Sequence, residues 1–571
     1  MADLPVHHPS VMEAMGEAVV GTSSFLLSNS AALQQALLLV VVTFIICLAV
    51  RLRPRRSRRT AMTKLKQQHG CAATAAVAPL PPGPAPWPVV GSVPEMMVKK
   101  PAFRWIHLMM KEMGTDIACV HLGPVHVVVI TCPRIAREVL KKQDANFTSR
   151  PLTFASRTFS GGYRSAVLSP LGDQWQKMRR VLTSEIICPS RHKWLHDKRS
   201  DEADNLTRYV YNLAAAGNSS SIVDVRHVAR HYCGNVIRRL VFNRRYFGKP
   251  RPDGGPGLLE VQHVDAVFAS LGLLYAFCIS DYLPWLLGLD LDGHEKAVKE
   301  ANATVNRLHD TVIDERWRQW KSGERQEPED FLDVLITLKD DGGNPLLTIE
   351  EVKAQLQEIM FAAMDNPSNA VEWTLAEMMN QPETMKKAVE EIDRVLGRDR
   401  LVQESDIPQL NYVKACIREA FRLHPVAPFN VPHVALADTT IAGYRVPKGS
   451  HVLLSRTGLG RNPRVWDEPL RFRSERHMVA AEGTDVSLTE NELRFISFST
   501  GRRGCIAATL GTAMSVMLLG RLLQGFTWTK PASVASIDLS ESTHDTFLAK
   551  PLVLHAHPRL PMHLYPTPTA T

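Results

Sequence analysis

The chain has 571 residues, of which 45% are hydrophobic and 22% are charged. This composition is typical of a large globular protein and excludes a disordered chain. The net charge of +9 is unevenly distributed, because residues 1–50 contain no Lys or Arg, while residues 51–70 contain eight of them and no acidic residue. Nucleic acid is therefore not an expected partner. The nine cysteines are scattered without CxxC pairs, which excludes a disulfide framework or a zinc site of that type.

An uncharged run of 20 residues, 31–50, is the first predicted element. It has the length of a membrane helix, and the arginine cluster that follows predicts a lumenal segment at 1–30 and a cytosolic body. A cleaved signal peptide is the alternative, but no basic residue precedes the run and no small-residue cleavage site follows it. Residues 51–92 combine the basic cluster with a proline-rich hinge that ends in PLPPGPAPWPVVGS, and residues 93–571 are predicted to form the globular domain.

The globular domain is predicted to be mainly α with a small β portion. Residues 116–133 and 439–455 each have the pattern of a β-hairpin. The longest helix is predicted to begin at Thr348, which forms an S/T-x-x-E capping box with Glu351, and to run to about Met379. Pro367 should break or kink it, because proline lacks an N–H and clashes with the preceding turn. Such a kink serves either packing or function.

Cys505 lies in the string FSTGRRGCIAATLGTAM, just before a helical pattern. A thiol at a helix N-terminus is biased toward the thiolate, although a lone cysteine in that place is more often structural. Gly501 and Gly504 allow positive φ angles and the close approach of a flat ligand. Arg502 and Arg503 supply positive charge for an anion.

The pattern F-x-x-G-x-R-x-C-x-A from Phe498 to Ala507 resembles the cysteine-ligand loop of the cytochrome P-450 family, with Ala507 replacing the usual glycine. The resemblance implies the cytochrome P-450 fold and haem b, with Cys505 as the iron ligand. It also implies NADPH and O2 as co-substrates, an NADPH-dependent flavoprotein reductase as partner, and attachment to the endoplasmic reticulum membrane. The family's further motifs are matched in the expected order by Trp175 and Arg179 (WxxxR), Glu419 and Arg422 (ExxR), His433 after Pro432, and Arg476, which should pair with ExxR. Haem contacts are implied for Trp175, Arg179, His433, Phe498, Gly501 and Arg503.

The Asp-Asn-Pro-Ser-Asn run and SFSTGRRGCIA resemble the plant amino-acid N-monooxygenases of cyanogenic glucoside biosynthesis. This implies two N-hydroxylations of an L-amino acid, then dehydration and decarboxylation to an aldoxime. Tyrosine is the implied substrate, with phenylalanine or another amino acid as the alternative. A carbon-hydroxylating haem-thiolate enzyme, a peroxide isomerase and a non-enzymatic haem binder share the general motifs. Downstream pathway enzymes are further candidate partners.

The zwitterionic substrate needs a buried donor or cation for its carboxylate, and Arg157 and Arg164 are the candidates. Catalytic roles are predicted for Asp365, Asn366 and Pro367, because the family usually carries an acid followed by Thr at this point. Pro367 leaves the Ala363 carbonyl free, and Asn366 offers an amide instead of a hydroxyl. This rearrangement is predicted to position the substrate amine or an oxygen-bound water; the alternative is a kink that serves packing. The remaining predicted substrate contacts are Met364, Phe429, Asn430, Val431, Thr546 and Phe547.

Overall fold

The computed structural model describes residues 78–215, 222–478 and 485–566. Helices dominate these residues, as the spacing of apolar side chains predicted. In chain order they are α1 (Val93–Val98), α2 (Ala102–Met113), α3 (Pro133–Arg137), α4 (Phe154–Phe159), α5 (Asp173–Val181), α6 (Pro189–Trp194), α7 (His196–Ala215), α8 (Val225–Phe242), α9 (Leu258–Leu274), α10 (Ile279–Tyr282), α11 (His294–Ser322), α12 (Phe331–Thr337), α13 (Ile349–Asn380), α14 (Pro382–Leu396), α15 (Asn411–Leu423), α16 (Arg456–Gly460) and α17 (Ala508–Gly525).

The strands form small sheets, so the prediction of a mainly α protein with a small β portion is confirmed. They are β1 (Ile117–Leu122), β2 (Val125–Ile130), β3 (Ile222–Asp224), β4 (His433–Val434), β5 (Thr439–Ile441), β6 (Tyr444–Val446), β7 (His451–Leu454), β8 (Phe526–Thr529) and β9 (Val553–Pro558). Within the described residues the sheet orders are β1-β2-β7-β4, β3-β9-β8 and β5-β6.

The first predicted hairpin is present, with Ile117 opposite Ile130 and Leu122 opposite Val125. The second was drawn too long. Only β5 and β6 form a hairpin, while β7 leaves it and runs parallel to β2 in the four-stranded sheet. The local pattern could not show this, because β7 is buried along most of its length by distant strands.

The long helix α13 forms the centre of the largest core cluster and packs against α8, α15 and α17. Its capping box is complete: Thr348 Oγ1 accepts from the Glu351 N–H, and the Glu351 carboxylate accepts from the Thr348 N–H. The helix continues through Pro367 to Asn380. Since α17 follows the cysteine loop directly, its packing against α13 brings Cys505 and the middle of α13 to the same region.

The predicted segments at 1–30 and 31–50 and most of the hinge at 51–92 lie outside the described residues. They stay predictions, as does the start of the globular domain at residue 93. Among the described residues, Leu258–Tyr282 has the length and hydropathy of a membrane span, but 56% of its most apolar window is buried within the protein. A core helix has the same properties, and α11 and α13 both pack against α9.

Candidate active site

The cysteine loop is a tight turn closed by its own backbone. The Cys505 N–H donates to the Phe498 carbonyl at 2.8 Å, and the Gly504 N–H donates to the Gly501 carbonyl at 3.0 Å. Cys505 therefore lies just before α17 rather than inside it. Burial raises the pKa of the Cys505 thiol, while the Ala507 N–H, Arg179 and Arg456 favour the thiolate. Cys505 itself keeps accessible surface.

Gly501 holds this loop against the segment that contains Leu140 and Asp144. Its φ is +77°, and a Cβ placed there would lie 2.5 Å from Asp144 Oδ1 and 2.7 Å from the Leu140 carbonyl oxygen. No other residue fits without movement of the backbone. Asp144 also accepts from the Arg502 N–H at 3.2 Å, so the segment and the loop are tied together beside Cys505.

Arg503 braces the loop rather than offering a free charge. Its guanidinium donates to the carbonyl oxygens of Thr148, Ala166 and Ser169 at 2.6, 3.1 and 2.8 Å. It also lies 4.3 Å from the ring centroid of Trp175, a position in which a cation is attracted to the face of an aromatic ring.

Trp175 and Arg179 project from α5 toward the same loop. Arg179 Nη2 donates to the Gly504 carbonyl at 3.0 Å. Trp175 is 9% exposed, and its buried Nε1–H has no partner in the part of the chain described. A buried N–H without an acceptor is costly, so this donor is suited to a ligand.

His433 on β4 is held in one tautomer. Its Nδ1–H donates to the Phe147 carbonyl at 2.6 Å, whereas Nε2 is buried without a partner among the described residues. Burial, together with the nearby cations Arg150 and Arg503, lowers the pKa of His433 to about 3, against the hydrogen bond to the Phe147 carbonyl. The imidazole is therefore neutral by itself, and only an adjacent anion would favour its protonation.

These residues fit a haem. The unpaired Trp175 N–H and the His433 ring, together with Arg179, surround the Cys505 loop with groups that suit the two carboxylates of an iron porphyrin. Cys505 would bind the iron, and Gly501 and Phe498 keep the loop in place. Phe498 lies against the site of Gly511, where a Cβ would come within 3.0 Å of its ring, so its contribution is to packing between the loop and α17.

Glu419 and Arg422 form the centre of a buried network of hydrogen-bonded charged side chains. Glu419 accepts from Arg422 at 2.7 and 2.8 Å, from Arg476 Nε at 2.9 Å, and pairs with His477 Nε2 at 2.8 Å. Both Glu419 and Arg422 are 0% exposed, and hydrogen bonding to Arg422 and His477 lowers the pKa of Glu419 to about 2 against the effect of burial. The pairing of Arg476 with ExxR that the resemblance implied is present, although the residue two before it is Ser474.

The middle of α13 presents a narrow accessible face within an otherwise buried helix. Ala362, Ala363 and Asn366 retain accessible surface, whereas Met364 is 0% and Asp365 is 4% exposed. Met364 therefore packs in the core and does not face the cavity, which corrects its assignment as a substrate contact. The two alanines before it, Ala362 and Ala363, keep accessible surface instead.

Asp365 is an unusual buried acid. Its Oδ1 has no hydrogen-bond partner within the described residues. Burial raises the pKa of Asp365 to about 7, with Arg230 and Arg456 acting to lower it and Asp545 acting to raise it. A carboxyl group with a pKa near neutrality can either accept or supply a proton.

Pro367 removes the donor for the Ala363 carbonyl, as predicted, because it has no N–H. Ala363 is half-buried, and Pro367, whose ring lies above its carbonyl, is buried. Ser368 Oγ donates to the Met364 carbonyl at 2.7 Å, which satisfies the neighbouring acceptor. The departure from regular helix hydrogen bonding is therefore confined to Ala363 and Asn366.

The loop before Trp175 is fixed at one end and exposed at the other. The Glu358 carboxylate on α13 accepts the N–H groups of Ala166, Val167 and Leu168 at 3.0, 2.7 and 3.1 Å. Arg157 and Arg164, by contrast, are exposed, and Arg164 donates to the Gly161 carbonyl. The argument for these two arginines required a buried cation, and the structure places neither in a buried position.

The other predicted pocket residues differ in burial and in contacts. Phe429 and Thr546 are used in internal packing: Phe429 lies 5.3 Å from the His107 ring centroid, and Thr546 Oγ1 donates to the Val426 carbonyl at 2.9 Å. Asn430 is buried and donates to Ser499 Oγ at 3.3 Å. Val431 and Phe547 are half-buried, and Val431 lines a small cavity together with Arg150 and Tyr275.

Three residues near this region have no local signal in the sequence. Arg456 follows β7 and is 9% exposed. Tyr275 follows the end of α9, and Arg230 on α8 lies 3.8 Å from the ring centroid of Phe268. Isolated arginines and tyrosines in helical or strand patterns look like surface residues, so only the tertiary packing reveals them.

Comparisons with known proteins agree with this geometry. The family model for cytochrome P450 matches residues 81–554. A tyrosine N-monooxygenase from Sorghum bicolor is 76% identical over 561 residues, covering 98% of this chain and 99% of the relative. A valine N-monooxygenase 1 from Manihot esculenta is 60% identical over 489 residues, covering 86% and 89%. A tryptophan N-monooxygenase 1 from Arabidopsis thaliana is 59% identical over 489 residues, covering 86% and 90%. The chain belongs to the cytochrome P450 family.

Proposed function

We propose that this protein is a haem-thiolate N-monooxygenase that converts L-tyrosine to 4-hydroxyphenylacetaldoxime in cyanogenic glucoside biosynthesis. The observation that carries the proposal is the 76% identity to the Sorghum bicolor tyrosine N-monooxygenase across almost the whole of both chains. The site supports it, because the middle of α13 departs from the acid-and-threonine arrangement of ordinary family members at Asn366 and Pro367.

The overall reaction balances with the co-substrates of the family. Two O2 and two NADPH, with two protons, add two hydroxyl groups to the amine nitrogen and release two waters. Loss of a third water and of CO2 then gives the aldoxime. A haem bound at Cys505 supplies the activation of O2, using electrons delivered from NADPH by a flavoprotein reductase.

The chain's own residues orient the substrate and control protons. Asp365 is a buried carboxyl with a pKa of about 7, next in the chain to the Asn366 amide and two residues after the Ala363 carbonyl that Pro367 leaves without its usual donor. An amino group has N–H donors that match these acceptors, and Asn366 can also donate to water. The arrangement holds the amine at the accessible face of α13, where a threonine hydroxyl would offer a single donor.

The proposed membrane location and partner proteins of the enzyme follow from its sequence. The 31–50 segment anchors the chain in the endoplasmic reticulum membrane in a single pass, and the domain at 93–571 faces the cytosol. The reductase would meet the face near the cysteine loop, where Arg180 is exposed. Lys177 contributes less charge there, because it pairs with Glu351 at 2.8 Å. Downstream pathway enzymes are proposed as further partners.

The test is reconstitution of the purified full chain with an NADPH-dependent plant reductase in lipid, followed by incubation with each protein amino acid in turn. The expected result is 4-hydroxyphenylacetaldoxime from L-tyrosine, detected by mass and dependent on NADPH and reductase. Oxime from phenylalanine but not from tyrosine would overturn the substrate, and the absence of an oxime from any amino acid would overturn the reaction.

A further inference from the structure

Two buried groups of opposite charge near the middle of α13 lack partners. Asp365 is 4% exposed with an unpaired Oδ1, and Arg456 is 9% exposed with an unpaired Nε. Neither forms an ion pair within the described ranges. An unpaired buried charge is costly, so a structure that retains one of each sign is suited to a ligand that carries both.

The backbone places Arg456 beside a segment that follows the ExxR helix. The Arg456 N–H donates to the Pro428 carbonyl at 2.9 Å, and Ser455 forms a bridge with Phe429. This segment continues to Val431, which lines a cavity with Tyr275. Arg456 therefore enters the active-site region from β7, on a different element from Asp365.

The electrostatics locate the guanidinium more closely. Arg456 lowers the pKa of Asp365 and of Tyr275. It thus lies within Coulomb reach of the acid on α13 and of Tyr275, which lines the same cavity as Val431. In an α-amino acid a single carbon separates the amine from the carboxylate, so a cation that binds the carboxylate must lie close to the place where the amine is oxidised.

The other cations nearby have different surroundings. Arg503 and Arg150 donate to backbone carbonyls. Arg179 lowers the pKa of both, and Arg150 also lowers that of Arg503, so these three cations lie together on the Trp175 side. Arg230 acts on Asp365, but its guanidinium is stacked on Phe268 and lies 5.5 Å from the ring centroid of Phe547. Arg456 combines burial, an Nε–H without a partner among the described residues, and proximity to Asp365.

We propose that Arg456 binds the α-carboxylate of the amino-acid substrate while Asp365 faces its amino group. The inference rests on the proposed function, since it assumes an amino acid as substrate, and it adds the residue that recognises the acid group. Because every amino acid shares this zwitterionic part, the pair selects for amino acids as a class. Selection among side chains then depends on other residues.

The test compares ligands with and without a carboxylate on purified holoenzyme. Binding of L-tyrosine and of tyramine, which has the amine but no carboxylate, is measured by the spectral shift of the haem and by equilibrium dialysis. For Arg456→Gln the dissociation constant for L-tyrosine should rise about 10- to 100-fold, the range for loss of a hydrogen bond to a charged group. Tyramine binding should change by less than about twofold, and Arg456→Lys should recover part of the loss.

Two matched variants complete the design. Arg445→Gln changes an arginine on β6 whose side chain is 44% exposed, and it should leave both ligands unaffected. Arg230→Gln tests the rival cation. A carboxylate-dependent loss in Arg230→Gln but not in Arg456→Gln would overturn the proposal, as would an equal loss for both ligands in Arg456→Gln.

Haem content distinguishes the remaining possibility. If Arg456 served a haem carboxylate, Arg456→Gln would lose haem or accelerate its dissociation without discriminating tyrosine from tyramine, and this result would refute the inference. Wild-type enzyme that binds and converts tyrosine while Arg456→Gln binds it normally would refute the inference and leave the function standing. Failure of the wild type to bind or convert any amino acid would refute the function itself.

Discussion

Replacement of Asp365 by asparagine tests the most perturbed acid of the site. Asp365 is 4% exposed with an unpaired oxygen, and burial raises its pKa from 3.8 to about 7. Between these two values the unfolded chain has released the proton while the folded protein keeps it. The folded state therefore binds more protons, and this residue's contribution makes the protein less stable as the pH rises from about 4 to about 7.

The magnitude follows from the size of the shift. At 1.36 kcal/mol per pKa unit, a rise from 3.8 to about 7 costs about 4 kcal/mol of folding free energy above pH 7 and about 2 kcal/mol at pH 5.5. Asparagine has nearly the same shape and no charge to bury. Asp365→Asn should therefore gain about 2 kcal/mol more over the wild type at pH 8 than at pH 5.5.

The assay is equilibrium urea unfolding of the detergent-solubilised full chain, with substrate absent, followed by circular dichroism and haem absorbance. Asp197→Asn, at a side chain that is 100% exposed, is the matched control for the chemical change. An equal gain for Asp365→Asn at the two pH values would refute the reasoning, because it would show that Asp365 ionises in the folded protein at the same pH as in the unfolded chain.

Three further variants test the loop, the haem contacts and the kink. Asn366→Thr should lower the yield of oxime per NADPH consumed, and unchanged coupling would count against a role for the amide. Gly501→Ala should destabilise the loop by about 1–3 kcal/mol and reduce the fraction of protein with the thiolate-type carbon monoxide spectrum. Gly443→Ala is its control, because φ is +82° there but no atom lies within 4 Å of the added Cβ; equal losses would exclude the contact as the cause. Trp175→Phe keeps an aromatic ring but removes the indole N–H, and should accelerate haem transfer to apomyoglobin about tenfold. Trp194→Phe, at a residue that is 39% exposed, should not.

The elements that depend on local chemistry were predictable. The capping box of Thr348 and Glu351 set the start of α13, and the Gly-Pro turn with its β-branched run set the hairpin of β1 and β2. The cysteine loop was also visible, because its glycines and arginines are close in sequence. In each case the deciding contacts join residues a few positions apart.

The features that depend on tertiary packing were not predictable. Met364 was predicted to contact the substrate. Because successive residues of a helix point in different directions, Met364 faces the core, whereas Ala362 and Ala363 keep accessible surface. Arg157 and Arg164 were chosen for their charge, although the conformation of their loop decides their exposure. Arg456 was missed, because it follows β7, whose position is fixed by parallel pairing with β2, a strand distant in sequence.

The hydrogen bonds between the Glu358 carboxylate and the Ala166–Leu168 backbone have a consequence for protein engineering. Relatives named for tyrosine, valine and tryptophan invite the exchange of segments to alter which amino acid is accepted. A graft that replaces the Ala166–Leu168 backbone must preserve three N–H groups aimed at a carboxylate almost 200 positions away, or leave that buried carboxylate with only the Ser165 hydroxyl and the Gln355 amide as donors. A graft that ends at Arg164 changes the exposed part of the loop alone. The boundary of a transferable module therefore lies between Arg164 and Ser165.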